Sequence, residues 1–403
     1  MGTNVPGMQN KRQGATMDIT TDALIVGGGP AGLAVAACLA RRGIDHAVLE
    51  QGDQVATSWS SYYDRLRLHT VKRLSGLPFR PMSAGYPRYA SRDEVVAYLR
   101  DYATHFPVRV LTGQEVQRAQ PVSGGWEVRG ASATYRARVL VSATGIFRNP
   151  VSPHVDDMSQ FRGRVLHSAD YRNAGPFAGQ RVLVVGAGNS GAEIAVDLAS
   201  GGAEVEIAIR SGINAVPLAL LGVPIQRWAI LVAGLPRPVA LAIAPPLLAR
   251  SKARLRASGI PPAEKGVLES GEGKIPVIGL ALLEATRTGR ISVRPGIERF
   301  VPDGVRFVDG AARPFDAVVF ATGYRPALGY LDGVVTLDAR GFALRTGVRS
   351  AERSDLFYSG LNYGFAGTLN NIRHEAPLIA RGVAAALVRH PARAAVGMSS
   401  AVR

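Results

Sequence analysis

A single cysteine, Cys38, stands among 403 residues. One thiol cannot make an intrachain disulfide, a redox-active pair or a cysteine-based metal cluster, so dithiol chemistry is excluded and no metal is expected. Cys38 falls in a helical pattern and reads as a small core residue. Acidic residues are scarce as well. With Asp+Glu at 31 against Lys+Arg at 47, the formal net charge is +16. Such a surface draws in anionic cofactors or headgroups. Nucleic acid is not expected as a partner, because no dense basic run is interleaved with aromatics.

The first 22 residues lack a continuous apolar stretch and carry no secretory signal. Residues 1–19 read as a disordered leader with Met17 as an alternative start, and the expected location is cytoplasmic. An uninterrupted membrane span is also missing. Residues 228–248 have the length, but Pro236, Arg237 and Pro238 interrupt them and Pro245-Pro246 break them again. A charge at mid-bilayer costs about 2.5–3.5 kcal/mol even on the lenient insertion scale. Residues 218–248 are therefore read as two short apolar helices within an insert spanning 213–258. Three uses stay open for it: lining a substrate channel, lying on a membrane surface, or making a homodimer contact. No repeat of 20–50 residues appears beyond the unit described next.

What the chain does contain is glycine, 46 residues of it, against a 47% hydrophobic background. The run DALIV (22–26) leads into Gly27-Gly28-Gly29-Pro30-Ala31-Gly32, a helical pattern over 31–42 follows, and a second strand, HAVL (46–49), ends at Glu50. In this βαβ unit Gly27 permits the tight turn, Gly29 lets backbone approach a pyrophosphate, and Gly32 lets helix pack on strand. The helix N-terminus favours phosphate, and Glu50 can accept hydrogen bonds from a ribose diol. Because this unit opens the chain, its ligand is expected to be FAD.

A second unit follows: QRVLVV (180–185), then Gly186-Ala187-Gly188-Asn189-Ser190-Gly191, a helix over 192–199 and a strand over 205–209. This strand ends in Arg210-Ser211 where the first ends in an acid. A carboxylate would repel a 2′-phosphate, whereas Arg210 can pair with it and Ser211 can donate to it, so NADPH is expected over NADH.

Residues 51–72, with Trp59, His69 and Lys72, are too polar and aromatic for plain core and too long for a simple loop. Residues 91–102 form a helix capped by Ser91 with Glu94 completing a capping box, and Val95, Leu99 and Tyr102 on one face. Strands are expected at 108–111, 126–129 and 135–141. The small residues of VSATG (141–145), including Thr144 and Gly145, let backbone lie against a flat ring. FATGY (320–324), with Thr322 and Gly323, repeats that pattern and marks the return to the first domain. Residues 370–386 read as a final helix whose start Pro377 sets near Ala376.

Between the two turns lies FRGRVLHSADY (161–171). It resembles the F-x-G-x-x-x-H-x-x-x-W/F/Y signature of class B flavin-dependent monooxygenases, in the place where that family carries it, and FATGY matches the family's F-A-T-G-Y motif. YDRLRLHTVKRLSGLPFRPM and KIPVIGLALLEATRTGRISVRPGIERF are similar to the YUCCA flavin monooxygenases, which convert indole-3-pyruvate to indole-3-acetate. The resemblance implies an α/β fold of two Rossmann-like dinucleotide-binding domains, with an FAD domain in two pieces (20–165 and 312–403) and an inserted NADPH domain (166–311). It implies oxygenation of a small apolar or aromatic substrate with O2 through a C4a-(hydro)peroxyflavin, at a carbonyl or 2-oxo acid or at an N or S heteroatom. It assigns Gly27, Gly29, Gly32 and Glu50 to FAD, and Gly186, Gly188, Gly191 and Arg210 to NADPH. Trp59, Thr144, Gly145, His167, Ser190, Ser211, Thr322 and Gly323 join them as cofactor contacts. His69, Lys72 and Asn189 are the polar candidates near the ring; His69 stands where many family members carry Asn and the YUCCA pattern carries His. An NAD(P)H oxidase releasing H2O2 is the alternative reading.

Overall fold

The computed structural model describes residues 19–269, 275–364 and 366–389. The expected leader lies outside them except for Ile19, which already opens the first strand, and so does the end of the FAD domain beyond Arg389.

Two parallel sheets organise the chain. In the first, Leu356–Tyr358, Thr134–Ser142, Ile19–Val26, His46–Leu49 and Val110–Leu111 lie side by side and parallel. Their near-continuous Val, Ile, Leu and Ala content fits strands covered on both faces; Leu24, Ile25, Val48 and Leu140 are fully buried. One face is covered by three helices. Pro30–Ala40 is so rich in alanine that it approaches the sheet closely. Arg92–His105 carries the expected Ser91–Glu94 capping box. The third is Thr368–Arg389, whose Ile372, Ala376, Ile379 and Val383 share one core with Leu33, Leu39, Val95 and Leu99.

This last helix departs from expectation, since it runs through Pro377 instead of starting at Ala376. The carbonyl deprived of its donor belongs to Arg373, an exposed residue, so water can take the place of the missing N–H.

The second sheet has the order Ile291–Arg294, Glu204–Ala208, Arg181–Val185, Ala317–Phe320, Arg164–His167, all parallel. Two of these strands correct the sequence-based boundaries. Arg164–His167 straddles the boundary set at 165/166. Ala317–Phe320, assigned to the FAD domain, sits between two strands of the second sheet. The crossings fall instead at Asn149–Pro150 and Tyr324–Arg325, which pair with each other antiparallel.

The signature stretch 161–171 now has a structural account. Phe161 packs with Phe300, Phe315 and Phe320. A Cβ on Gly163 would stand 2.7 Å from the Asp316 carbonyl oxygen, so the edge strand closes only on glycine. Tyr171 is buried and donates to Asp197 Oδ2 at 2.7 Å; a hydrogen bond to a charged acceptor stabilises by about 1.5–3 kcal/mol. Asp197 lies on Asn189–Ser200, the helix after the second glycine turn. The stretch therefore fastens the edge of the second sheet to that helix.

The insert forms a short hairpin and two helices, Ile225–Ala233 and Arg237–Ala257. The chain breaks at Pro236 as expected but continues helically through Pro245 and Pro246, which are exposed. The carbonyls they leave without a helical donor belong to Leu241, which is half-buried, and Ala242, which is exposed. No helix among the described residues is long and apolar enough to cross a membrane.

Candidate functional site

Both glycine turns are built by the same two devices. Gly27 adopts φ +110° and Gly186 φ +100°, in the left-handed half of backbone space that glycine tolerates. Each is also pressed against a carbonyl: a Cβ would come within 2.6 Å of Ala143 O at Gly27 and 2.8 Å of Ala321 O at Gly186. The segments 141–145 and 320–324 thus play equivalent parts in the two units, buttressing a turn. Gly32 and Gly191 face inward, where a Cβ would sit 1.8 Å from Gly27 O and 1.9 Å from Gly186 O. These two glycines hold helix against strand and touch no cavity.

Gly29 and Gly188 differ. Nothing lies within 4 Å of a Cβ built on either. Each is the N-cap of its helix, Pro30–Ala40 or Asn189–Ser200, and neither helix has a side-chain cap. First-turn N–H groups are left to a ligand, and the open side of each glycine is where its phosphates can come close. This arrangement fits a dinucleotide at both turns.

A cavity of about 910 Å3 runs from the first turn to the second. Gly27, Gly29, Glu50, Trp59, His69, Thr144, Gly145, Asn189 and Ser190 line it, as the sequence suggested. Glu50 is buried, with one carboxylate oxygen accepting from Gly28 N (2.7 Å) and the other from Gly52 N (2.8 Å). His69 Nε2 lies 3.6 Å from Glu193 Oε1, which brings the stretch 51–72 against Asn189–Ser200, the helix after the second turn.

Other candidates are placed elsewhere. The ammonium of Lys72 donates to the carbonyls of Ala84 and Tyr86 and is absent from the cavity wall. Asn189 reaches the wall, but its amide donates to Pro276 O at 3.2 Å and accepts from Ile278 N at 2.8 Å, so it pins a strand. His167 is buried beneath the junction, with its ring edge-on to Tyr324 at 5.1 Å. Desolvation holds its pKa below the ordinary value, and its neighbour Ser168 reaches the wall in its place. Thr322 Oγ1 donates to Val151 O, which ties the two crossings together; neither Thr322 nor Gly323 lines the cavity. Arg210 and Ser211 are exposed beyond the strand Glu204–Ala208, and Arg210 makes no ion pair among the described residues.

Sequence reasoning missed several wall residues. Tyr62, Tyr63, Tyr324 and Tyr363 surround the junction, and burial pushes their phenols up, keeping them protonated donors. The adjacent pair Tyr62-Tyr63 was the available signal. Trp228, Val232, Leu247 and Leu248 supply an apolar wall, so the insert lines this cavity, one of the three uses left open for it.

The family described as pyridine nucleotide-disulphide oxidoreductase matches residues 24–217. Its disulphide chemistry has no counterpart here: Cys38 is 3% exposed and burial pushes its thiol up to about 11. The chain is 37% identical over 326 residues to a probable indole-3-pyruvate monooxygenase of Arabidopsis thaliana, YUCCA8, covering 76% of this chain and 75% of that protein. It is likewise 37% identical over 343 residues to an indole-3-pyruvate monooxygenase of Oryza sativa subsp. japonica, YUCCA4, with 76% and 75% covered. A solved flavin-containing monooxygenase from Stenotrophomonas maltophilia superposes with TM-score 0.71 at 25% identity, over 92% of this chain and 99% of that one. The duplicated turns, the cavity joining them and these likenesses agree: the chain belongs to the class B flavin-dependent monooxygenases, in the YUCCA-like branch, and is an oxidoreductase using FAD and NADPH.

Proposed function

We propose that this enzyme inserts one oxygen atom of O2 into a small apolar or aromatic molecule, either at a carbonyl carbon such as that of a 2-oxo acid or at an N or S heteroatom. The observation carrying this reading is the cavity that joins both uncapped helix N-termini and is walled on its third side by the apolar insert. When bound, FAD accepts hydride from NADPH and supplies the oxygen activation. The protein's own part is binding, orientation and exclusion of water. Gly29 and the N-terminus of Pro30–Ala40 hold the FAD pyrophosphate, and Glu50 holds its ribose. Gly188, Ser190, Arg210 and Ser211 hold NADPH. His69, braced by Glu193, and the protonated Tyr63 present donors toward the reacting end, while Trp228 and Val232 keep that end dry.

The reading is tested by measuring NADPH oxidation and H2O2 release together over 2-oxo acids, ketones, amines and thioethers. A substrate is expected to raise NADPH use while lowering H2O2, with one oxygenated product per NADPH consumed. If every NADPH is returned as H2O2 whatever is added, the chain is an oxidase and the proposal fails.

The outer side of the insert fits an anionic membrane surface. No acidic residue occurs within the insert (213–258), whereas six basic ones do, and Leu221 and Leu231 are 76% and 58% exposed. Apolar insertion and charge attraction act together on such a face. The protein should sediment with phosphatidylglycerol vesicles but not with phosphatidylcholine vesicles, and Leu221→Asp with Leu231→Asp should leave it in the supernatant. A concentration-dependent dimer that these substitutions dissolve, without vesicle binding, would assign the face to self-association.

A further inference from the structure

Gln226 is an anomaly in an apolar helix. It is the second residue of Ile225–Ala233 and is 2% exposed. Its side chain ends in two backbone groups of the other unit: Oε1 accepts from Val71 N at 3.0 Å, and Nε2 donates to Ala366 O. Both partners belong to segments that line the cavity, His69 and Thr70 on one side and Gly367 and Thr368 on the other. The packing is tight enough to need glycine at 367, which has φ +90° and whose Cβ would come 2.5 Å from Thr70 Cγ2 and 3.4 Å from Gln226 Nε2. Two further ties of the insert to this unit, Arg88 to Gly222 O and Tyr89 to Leu218 O, are exposed and compete with water. One turn on from Gln226, Ala229 faces the cavity beside Trp228.

We propose that Gln226 is a positioning residue, a clamp that seats the apolar helix of the insert on the rim of the flavin cavity and so holds the reaction space closed to water. The inference rests on FAD occupying the first turn. A buried amide bonded on both sides resists exchange for water, whereas an apolar substitute strands one N–H and one C=O. Those two groups are satisfied only if the rim opens. Gln226→Met, which preserves length and packing, should therefore raise the opened fraction on the order of tenfold.

Three readouts test this on the flavin-loaded protein. In Gln226→Met, iodide should quench flavin fluorescence more strongly than in the parent. The anaerobic rate of flavin reduction by NADPH should stay within about twofold of the parent value. In air, more of the electrons taken from NADPH should leave as H2O2 instead of product and water. Iodide quenching equal to the parent overturns the clamp, and so does slowed anaerobic reduction with unchanged H2O2 release, which would mark general damage. Should the variant fail to fold, hydrogen exchange in the parent decides. The Val71 amide should exchange in step with the amides of Ala229 to Ala233, and free exchange at Val71 beside a protected helix overturns the inference. Quenching and exchange need no oxygenated product, so they still decide for or against the clamp if the monooxygenase reading fails.

Discussion

Gly29→Val is expected to give a folded protein without bound flavin, seen as a parent-like circular dichroism spectrum and melting curve with no yellow colour. The backbone at Gly29 has φ −80° and ψ −172°, an extended conformation open to any residue, and a Cβ there meets nothing within 4 Å. Valine therefore fits the ligand-free protein. What it fills is the space beside the uncapped helix N-terminus, where a pyrophosphate has to come within hydrogen-bond distance of backbone N–H groups. Gly32→Val supplies the contrast: with a Cβ 1.8 Å from Gly27 O, the helix cannot pack and the protein should fail to fold. Gly188→Val repeats the first experiment at the second turn, and should keep flavin while losing its reduction by NADPH. A yellow Gly29→Val protein would remove the first turn from the flavin site.

The second large effect is expected at Arg210. Arg210→Ala should weaken NADPH about tenfold to a hundredfold, the range for losing hydrogen bonds between a guanidinium and a phosphate, while leaving NADH nearly unchanged. Arg210 is exposed and has no ion pair among the described residues, so its fork is free for a 2′-phosphate. Exposure also means that the preference should shrink as salt rises. Titrations of flavin reduction with each nucleotide at low and high salt measure both effects. Equal weakening of NADPH and NADH would take Arg210 out of the phosphate site.

The sequence made some parts of this site legible because their physics is local. A glycine turn, the helix it opens and the residue ending the next strand all lie within about 25 residues, so the places of Glu50 and Arg210 after their strands could be read from that window. The same locality made the Ser91–Glu94 capping box readable. Domain boundaries were harder. In Arg164–His167 only Leu166 and His167 are buried, so this edge strand carries too little apolar pattern to show itself, and the central strand Ala317–Phe320 was taken for the chain's return to the first domain. Lys72, from the polar stretch 51–72, and Asn189, from the second glycine turn, were named as polar candidates near the ring. Their partners are backbone atoms 12 to 89 positions away, and no spacing rule reveals such bonds. Gln226 lay beyond reach for the same reason, with its two bonds spanning 155 and 140 positions.

The paired crossings at Asn149–Pro150 and Tyr324–Arg325 bear on how the molecule assembles. Just beyond them, Val151 N donates to Gly323 O at 2.9 Å, so the second unit begins and ends at one point in space. For the first sheet, Leu356–Tyr358 must find Thr134–Ser142 across that whole insertion. A flexible loop of that size would charge the search its full closure entropy. Once the second sheet has formed, the chain left to close is residues 143–148 and 326–355 in place of all of 143–355. Order of folding, and not only final contact, thus decides how quickly the flavin unit can close, and the inserted unit acts as the staple for its host.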